Sequence, residues 1–215
     1  MAIALSVPPN PHAAAVRYLK KADARLAAVI ESVGPCRFKA VQDGTHFDAV
    51  ARSIVYQQLS GKAAGTIHSR FLALFPGAPD AAELLRIPDE LLRGAGLSRQ
   101  KASYLRSLAE HATAGSVPFH ALDALDDESV IDALVSVKGV GRWTAQMFLM
   151  FRLGRPDVLP ELDLGVQKGI QRAYRLRSLP PPKKVLQIGA KWAPYRSIAS
   201  WYLWRSLDNG AGQAG

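Results

Sequence analysis

A single cysteine, Cys36, stands in a chain of 215 residues. That excludes an internal disulfide and any cluster held by several thiolates, and leaves Cys36 as a packing residue. Nowhere do about 18 apolar residues follow one another, so no membrane-spanning helix is expected. The first eleven residues, Met1 to Pro11, lack both the basic start and the apolar run of a signal peptide. They read as a short irregular arm, and the chain as a cytoplasmic protein. The five histidines (12, 46, 68, 111 and 120) have no close metal-ligand spacing, which argues against a catalytic metal. Strict apolar–polar alternation is missing too, so no sheet is expected.

What the chain does have is positive charge and helical periodicity. Lys and Arg number 27 against 18 Asp and Glu, a net charge of +9, which suits a polyanionic partner. The length is enough to bury a real core. Residues 12–32 place Val16, Leu19, Leu26, Val29 and Ile30 on one helical face. Further helices are predicted near 46–58, 61–75, 81–85, 88–94, 98–113, 121–123, 127–136, 142–152, 163–175, 183–191 and 195–207. Gly34-Pro35, Pro76-Gly77, Pro88, Gly94 and Gly96 mark breaks, and Ser98 and Asp126 or Asp127 are candidate N-caps. The expected fold is all-α: two helical subdomains flanking a cleft, one at about 46–115 and the other at about 116–207 with the N-terminal helix. The tail from Asn209 to Gly215 is expected to be disordered.

Residues 137–146, Val-Lys-Gly-Val-Gly-Arg-Trp-Thr-Ala-Gln, carry the strongest functional signal. Gly139 and Gly141 separate two apolar helical runs. Such a turn can present bare N–H groups at a helix start, where the dipole favours phosphate. A lone Gly-x-Gly is also an ordinary turn between helices. Downstream lie Gly154, Pro156 and Pro160, then Asp163 in Leu159-Pro-Glu-Leu-Asp-Leu-Gly-Val-Gln-Lys168. Three further segments stand in the same order as a known family: Ile54-Val-Tyr-Gln-Gln-Leu-Ser60, Gly96-Leu-Ser-Arg-Gln-Lys-Ala-Ser-Tyr104 and Trp192-Ala-Pro-Tyr-Arg-Ser-Ile-Ala-Ser-Trp-Tyr-Leu-Trp204. Over about residues 46–205 the chain resembles the DNA-3-methyladenine glycosylase II branch of the helix-hairpin-helix/Gly-Pro-Asp superfamily. It is similar to a short form lacking the N-terminal β-domain.

That resemblance implies an enzyme that flips an alkylated purine out of duplex DNA and hydrolyses its N-glycosidic bond. Asp163 would stabilise the oxocarbenium-like sugar and orient the attacking water; at a helix start it is equally an N-cap, and Glu161 is its nearest competitor. Trp143 falls where bifunctional relatives carry a Schiff-base lysine, which implies a monofunctional enzyme. Trp143, Met147, Trp204 and Tyr56 would line the base pocket, where indole faces attract cationic purines. Met147 departs from the tyrosine of larger family members. Trp192 and Trp201 are read as core.

On the DNA side, the resemblance implies contacts from Gln57, Gln58, Lys138, Gly139, Gly141, Arg142 and Thr144. Gln58 would be the wedge that fills the space left by the flipped nucleotide, with Gln57 its rival, and Lys62 and Lys101 are further phosphate candidates. The carbonyls of Val135, Val137 and Val140 match positions that hold Na+ or K+ in relatives. No other cofactor is expected, and an iron–sulfur cluster is ruled out by the cysteine count. The partner would be double-stranded DNA with alkylated bases, bound by a nucleoid-associated monomer without membrane contact. Two alternatives stand beside this: a non-catalytic helix-hairpin-helix module, and a bifunctional oxidised-base glycosylase/lyase, disfavoured by Trp143.

Overall fold

The computed structural model describes residues 11–211, with side chains through 208, and every regular element among them is helical. The expected N-terminal arm therefore lies almost entirely outside the described residues. Two compact units emerge, one made of residues up to Lys39 and from Arg155 on, the other of Ala40–Gly154.

In the first unit the sequence pattern predicts one helix over 12–32, but two form: α1 (Ala13–Ala22) and α2 (Ala24–Val33). Asp23 makes the break. Its backbone is extended (φ −150°, ψ 105°) and its carboxylate accepts the N–H groups of Arg25 and Leu26 at 3.0 and 3.3 Å, capping α2. Asp23 is only 3 % exposed. Its carboxylate also accepts from Trp192 Nε1 at 2.8 Å and from the Tyr174 hydroxyl, with Lys191 Nζ at 3.2 Å. Burial raises its pKa, but these donors outweigh burial and hold it below the ordinary carboxylate range.

The second unit continues with α3 (His46–Tyr56), α4 (Gly61–Leu72), α5 (Ala81–Arg86), α6 (Asp89–Gly94), α7 (Arg99–Thr113), α8 (Asp127–Val135) and α9 (Arg142–Phe151); a single 3-10 turn, Leu122–Ala124, precedes α8. Thr45, Asp80, Ser98 and Asp126 cap α3, α5, α7 and α8 through their side chains. Of the two aspartates considered before α8, Asp126 is the cap. Helix α7 is central: Ala102, Leu105, Leu108 and Ala109 are buried, and α3, α5 and α6 pack against it.

Back in the first unit, α10 (Leu164–Tyr174), α11 (Pro182–Gly189) and α12 (Arg196–Ala211) follow. Helix α12 packs on α2 and α10 and buries Ile198, Ala199, Tyr202 and Leu203. Each large apolar side chain so buried contributes roughly 1.5–3 kcal/mol. Gly169 permits the close approach, since a Cβ there would stand 2.7 Å from Leu203 Cβ. Helix α12 runs to Ala211, so residues 209–211 are helical where the sequence suggested the start of a disordered tail; residues 212–215 lie outside the described residues.

The division also falls elsewhere than the expected boundary at 116. Residues 116–154 group with α3–α7 because α9 packs on α3 and the α8–α9 turn is hydrogen-bonded to α7. Cys36 is buried in the first unit, and burial pushes its thiol pKa up.

Candidate functional site

The turn between α8 and α9 is built on one glycine with a left-handed backbone, Gly139 (φ +83°). Its lack of a side chain is required twice over. The φ is unfavourable for any Cβ, and a Cβ would lie 2.2–2.4 Å from the Tyr104 ring of α7. Gly141 has an ordinary φ of −95° and is the N-cap of α9, where it offers no capping side chain. Buried Val137 and Val140 anchor the turn in the core. Two serines of α7 fix Lys138: its N–H donates to Ser107 Oγ at 3.1 Å and its Nζ to Ser103 Oγ at 3.2 Å. The carbonyl of Val137 accepts from the N–H of Val140 at 3.0 Å. Those of Val135 and Val140 take no hydrogen bond among the described residues.

Beside this turn opens a cavity of about 610 Å³ whose lining includes Tyr56, Gln57, Gln58, Gly139, Trp143, Thr144 and Met147. The structure thus gathers most of the sequence-predicted residues of the second unit around one space. Trp143 is 45 % exposed, too open for a core tryptophan. No carboxylate belongs to this lining. Tyr56 is held from behind. The Arg52 guanidinium lies 4.6 Å from its ring centroid, and the His68 ring meets it edge-on at 5.9 Å. His68 sits 3.7 Å from Asp48, and burial pushes its pKa below the ordinary range despite that neighbour.

Gln58, the favoured wedge, and its rival Gln57 are placed differently. The Gln57 amide donates to the carbonyl of Gly139 at 2.9 Å, tying the end of α3 to the hairpin. Gln58 takes a left-handed backbone (φ +56°), uncommon for glutamine. The carbonyls of Val55 and Gln57 are held by Lys101 Nζ at 2.6 and 2.7 Å. Lys101 is thus a clamp on α3, where the sequence reading had it as a phosphate candidate.

Asp163 belongs to the first unit. It is the N-cap of α10, and its Oδ1 accepts two hydrogen bonds of 2.7 Å, from the N–H of Val166 and from Trp204 Nε1. Gly165 lets the indole this close, since a Cβ there would stand 2.7 Å from Trp204 Cδ1 and 3.0 Å from Asp163 Oδ1. Trp204, expected as a pocket wall, is therefore in place as the partner of the aspartate. The competing Glu161 accepts the Gln167 amide on its backbone carbonyl.

Arg142, expected on a phosphate, forms a two-pronged ion pair with Glu128 of α8 at 2.7 and 2.9 Å, which holds the Glu128 carboxyl below its usual range. This acid in the first turn of α8 was visible in the sequence, but its pairing with Arg142 was not anticipated. Trp192 is fully buried, as expected; Trp201 is only half-buried, its ring edge-on to Tyr202. The sequence reading also missed Tyr104 and the clamp role of Lys101. Their signal was the step of three, Ser98, Lys101, Tyr104, Ser107, along the central helix.

Residues 51–195 match a family described as HhH-GPD superfamily base excision DNA repair protein. The chain is 33 % identical over 185 residues to DNA-3-methyladenine glycosylase 1 of Schizosaccharomyces pombe, covering 85 % of this chain and 80 % of that relative. Among solved structures, it is similar to the Schizosaccharomyces pombe 3-methyladenine DNA glycosylase Mag1 in complex with abasic DNA (TM-score 0.79, 32 % identity, 89 % of this chain and 95 % of that one). It is also similar to a DNA-3-methyladenine glycosidase from Bacillus halodurans (TM-score 0.83, 38 % identity, 93 % and 91 %).

Proposed function

The chain belongs to the HhH-GPD superfamily of base excision DNA repair proteins, and from that premise we propose that it is a monofunctional DNA glycosylase of the 3-methyladenine type II class. Its substrate is duplex DNA carrying alkylated purines such as 3-methyladenine and 7-methylguanine, and its product an abasic site. The hairpin and Gln58 engage the DNA, the flipped base is received against Trp143, Tyr56 and Met147, and Asp163 supplies the carboxylate for the chemistry at the sugar. As the C1′–N bond breaks, its electron pair leaves with the cationic base, which departs neutral. The positive charge left on the sugar is stabilised by the carboxylate, and a water oxygen bonds to C1′ while losing a proton.

The observation that carries this reading is the hold on Asp163. Two N–H donors converge on Oδ1, and an orienting indole is more than an N-cap requires. Trp143, at the hairpin position of the lyase amine, supports a hydrolytic route without a covalent enzyme–DNA intermediate. The hairpin contacts remain Lys138, Gly139, Gly141, Thr144 and Arg142, the last after parting from Glu128. The carbonyls of Val135, Val137 and Val140 would hold Na+ or K+ between hairpin and phosphate. Among the described residues no helix is long and apolar enough to cross a membrane, and a cytoplasmic, nucleoid-associated monomer completes the proposal.

Base release from duplexes containing 3-methyladenine, 7-methylguanine, hypoxanthine or ethenoadenine tests it. Asp163→Asn should reduce release by on the order of 10²–10³ while DNA affinity holds. Near-wild-type excision by that variant would remove Asp163 from the chemistry. Borohydride trapping of the enzyme on DNA would point instead to a lyase.

A further inference from the structure

Among the described residues, only two non-glycine backbones have positive φ, Gln58 and Arg175. Arg175 is the left-handed C-cap that commonly ends a helix. Gln58 is different. It follows the C-cap Gln57, which is extended (φ −52°, ψ 131°), and the N–H of Leu59 then turns back to the carbonyl of Tyr56 at 3.3 Å. A left-handed glutamine is unfavourable in itself, so something must hold it. The Gln58 side chain makes no hydrogen bond among the described residues, so it does not hold itself.

The restraint comes from α7. Lys101 Nζ reaches 2.6 Å from the carbonyl of Val55 and 2.7 Å from that of Gln57. One is a carbonyl of the last turn of α3, where helical partners run out. The other belongs to the peptide that leads directly into Gln58. A second restraint acts on the neighbouring side chain, since the Gln57 amide is committed to Gly139. Both bonds leave Gln58 as the residue of this turn whose side chain is available, and it faces the cavity.

We propose that Lys101 is a positioning residue: by gripping the peptides on either side of Tyr56–Gln57 it keeps Gln58 in the left-handed conformation from which its side chain enters the duplex. This rests on Gln58 being the wedge. A lysine that merely capped α3 would support the fold equally for every substrate. A lysine that aims the wedge matters only where the wedge matters, which is where pairing must be broken. Burial lowers the Lys101 pKa, while the two carbonyls give its charge a reason to persist.

The test uses the whole chain and 7-methylguanine placed either opposite cytosine or opposite an abasic analogue. Single-turnover excision is measured for wild type, Gln58→Ala, Lys101→Met, the double variant and Lys101→Arg, together with melting temperature. Lys101→Met should slow excision opposite cytosine on the order of tenfold and leave the abasic-opposed substrate within about twofold. It should add nothing in the Gln58→Ala background, and Lys101→Arg, which can donate to both carbonyls, should restore the rate. Equal loss on both substrates, or a loss that multiplies with that of Gln58→Ala, overturns the proposal. If Gln58→Ala itself fails to discriminate the two duplexes, the wedge reading falls and this inference with it. If Gln58→Ala discriminates and Lys101→Met does not, only the inference falls. Should Lys101→Met be too unstable, Lys101→Gln, able to hold one carbonyl, must show the same discrimination at smaller size.

Discussion

The indole N–H of Trp204 donates to Oδ1 of Asp163 at 2.7 Å, so the carboxylate at the start of α10 is aimed by a side chain from α12. Gly165 makes room for this contact and the N–H of Val166 completes it. Trp204→Phe keeps most of the ring and removes the donor. A hydrogen bond to a charged group is worth about 1.5–3 kcal/mol, so kcat should fall roughly 10- to 100-fold. Single-turnover base release measures this. A loss confined to KM would show instead that the ring matters for binding and not for orienting Asp163.

Gly139→Ala tests the hairpin. The substitution puts a Cβ into the Tyr104 ring and requires φ near +83°. Because the obstacle is a packed ring, the turn must shift, and DNA affinity should drop at least tenfold with a destabilisation of about 1–3 kcal/mol. Gly141→Ala meets nothing within 4 Å at an ordinary φ, and should leave melting temperature nearly unchanged. Equal effects at the two glycines, in binding titrations and thermal unfolding, would contradict this account.

With Arg142 proposed as a phosphate contact, its Glu128 partner would compete with the DNA for it. Removing its charge by Glu128→Gln weakens this hold on the guanidinium, now at 2.7 and 2.9 Å. DNA affinity should rise, and the log–log salt dependence should steepen by about one. A slope that stays put would mean Arg142 serves only to join α8 to α9.

Asp23 makes a prediction about acid. Its folded pKa lies below the ordinary value, so the unfolded chain binds the proton first as pH falls. The stability it contributes is fully present above about pH 4, the unfolded value, and is lost as pH drops through the folded pKa. Asp23→Asn replaces a charged acceptor of buried hydrogen bonds by a neutral one; it should destabilise the protein at neutral pH by about 1.5–3 kcal/mol and flatten the acid limb of a stability–pH curve. Urea unfolding at several pH values measures both.

The sequence was most legible where one physical signal decided the outcome. Helical periodicity and capping side chains placed nearly all the helices, and Ser98 and Asp126 cap as their residue types suggest. Gly139, Trp143, Met147 and the 56–58 turn could be found from spacing and resemblance, and they do line one cavity. What stayed hidden depended on partners distant in sequence. An unbroken apolar face over 12–32 concealed Asp23, whose hold on Tyr174 and Trp192 decides the break between α1 and α2. Arg142 reads as a phosphate contact, and nothing in its own segment tells that Glu128 already holds it. Lys101 is one basic residue among 27 until its two carbonyls are known.

Helix α7 serves the α3 turn through Lys101, the hairpin glycine through Tyr104, and the Lys138 amide through Ser107. Each advance of three residues falls short of a full turn by about 60°, so these groups wind around the helix toward successive neighbours. Inserting or deleting one residue between Arg99 and Ser107 would rotate everything beyond it by about 100° and uncouple the two loops from each other. Length in this segment is therefore fixed by phase. Evolution and engineering alike can exchange its side chains far more freely than they can change its count.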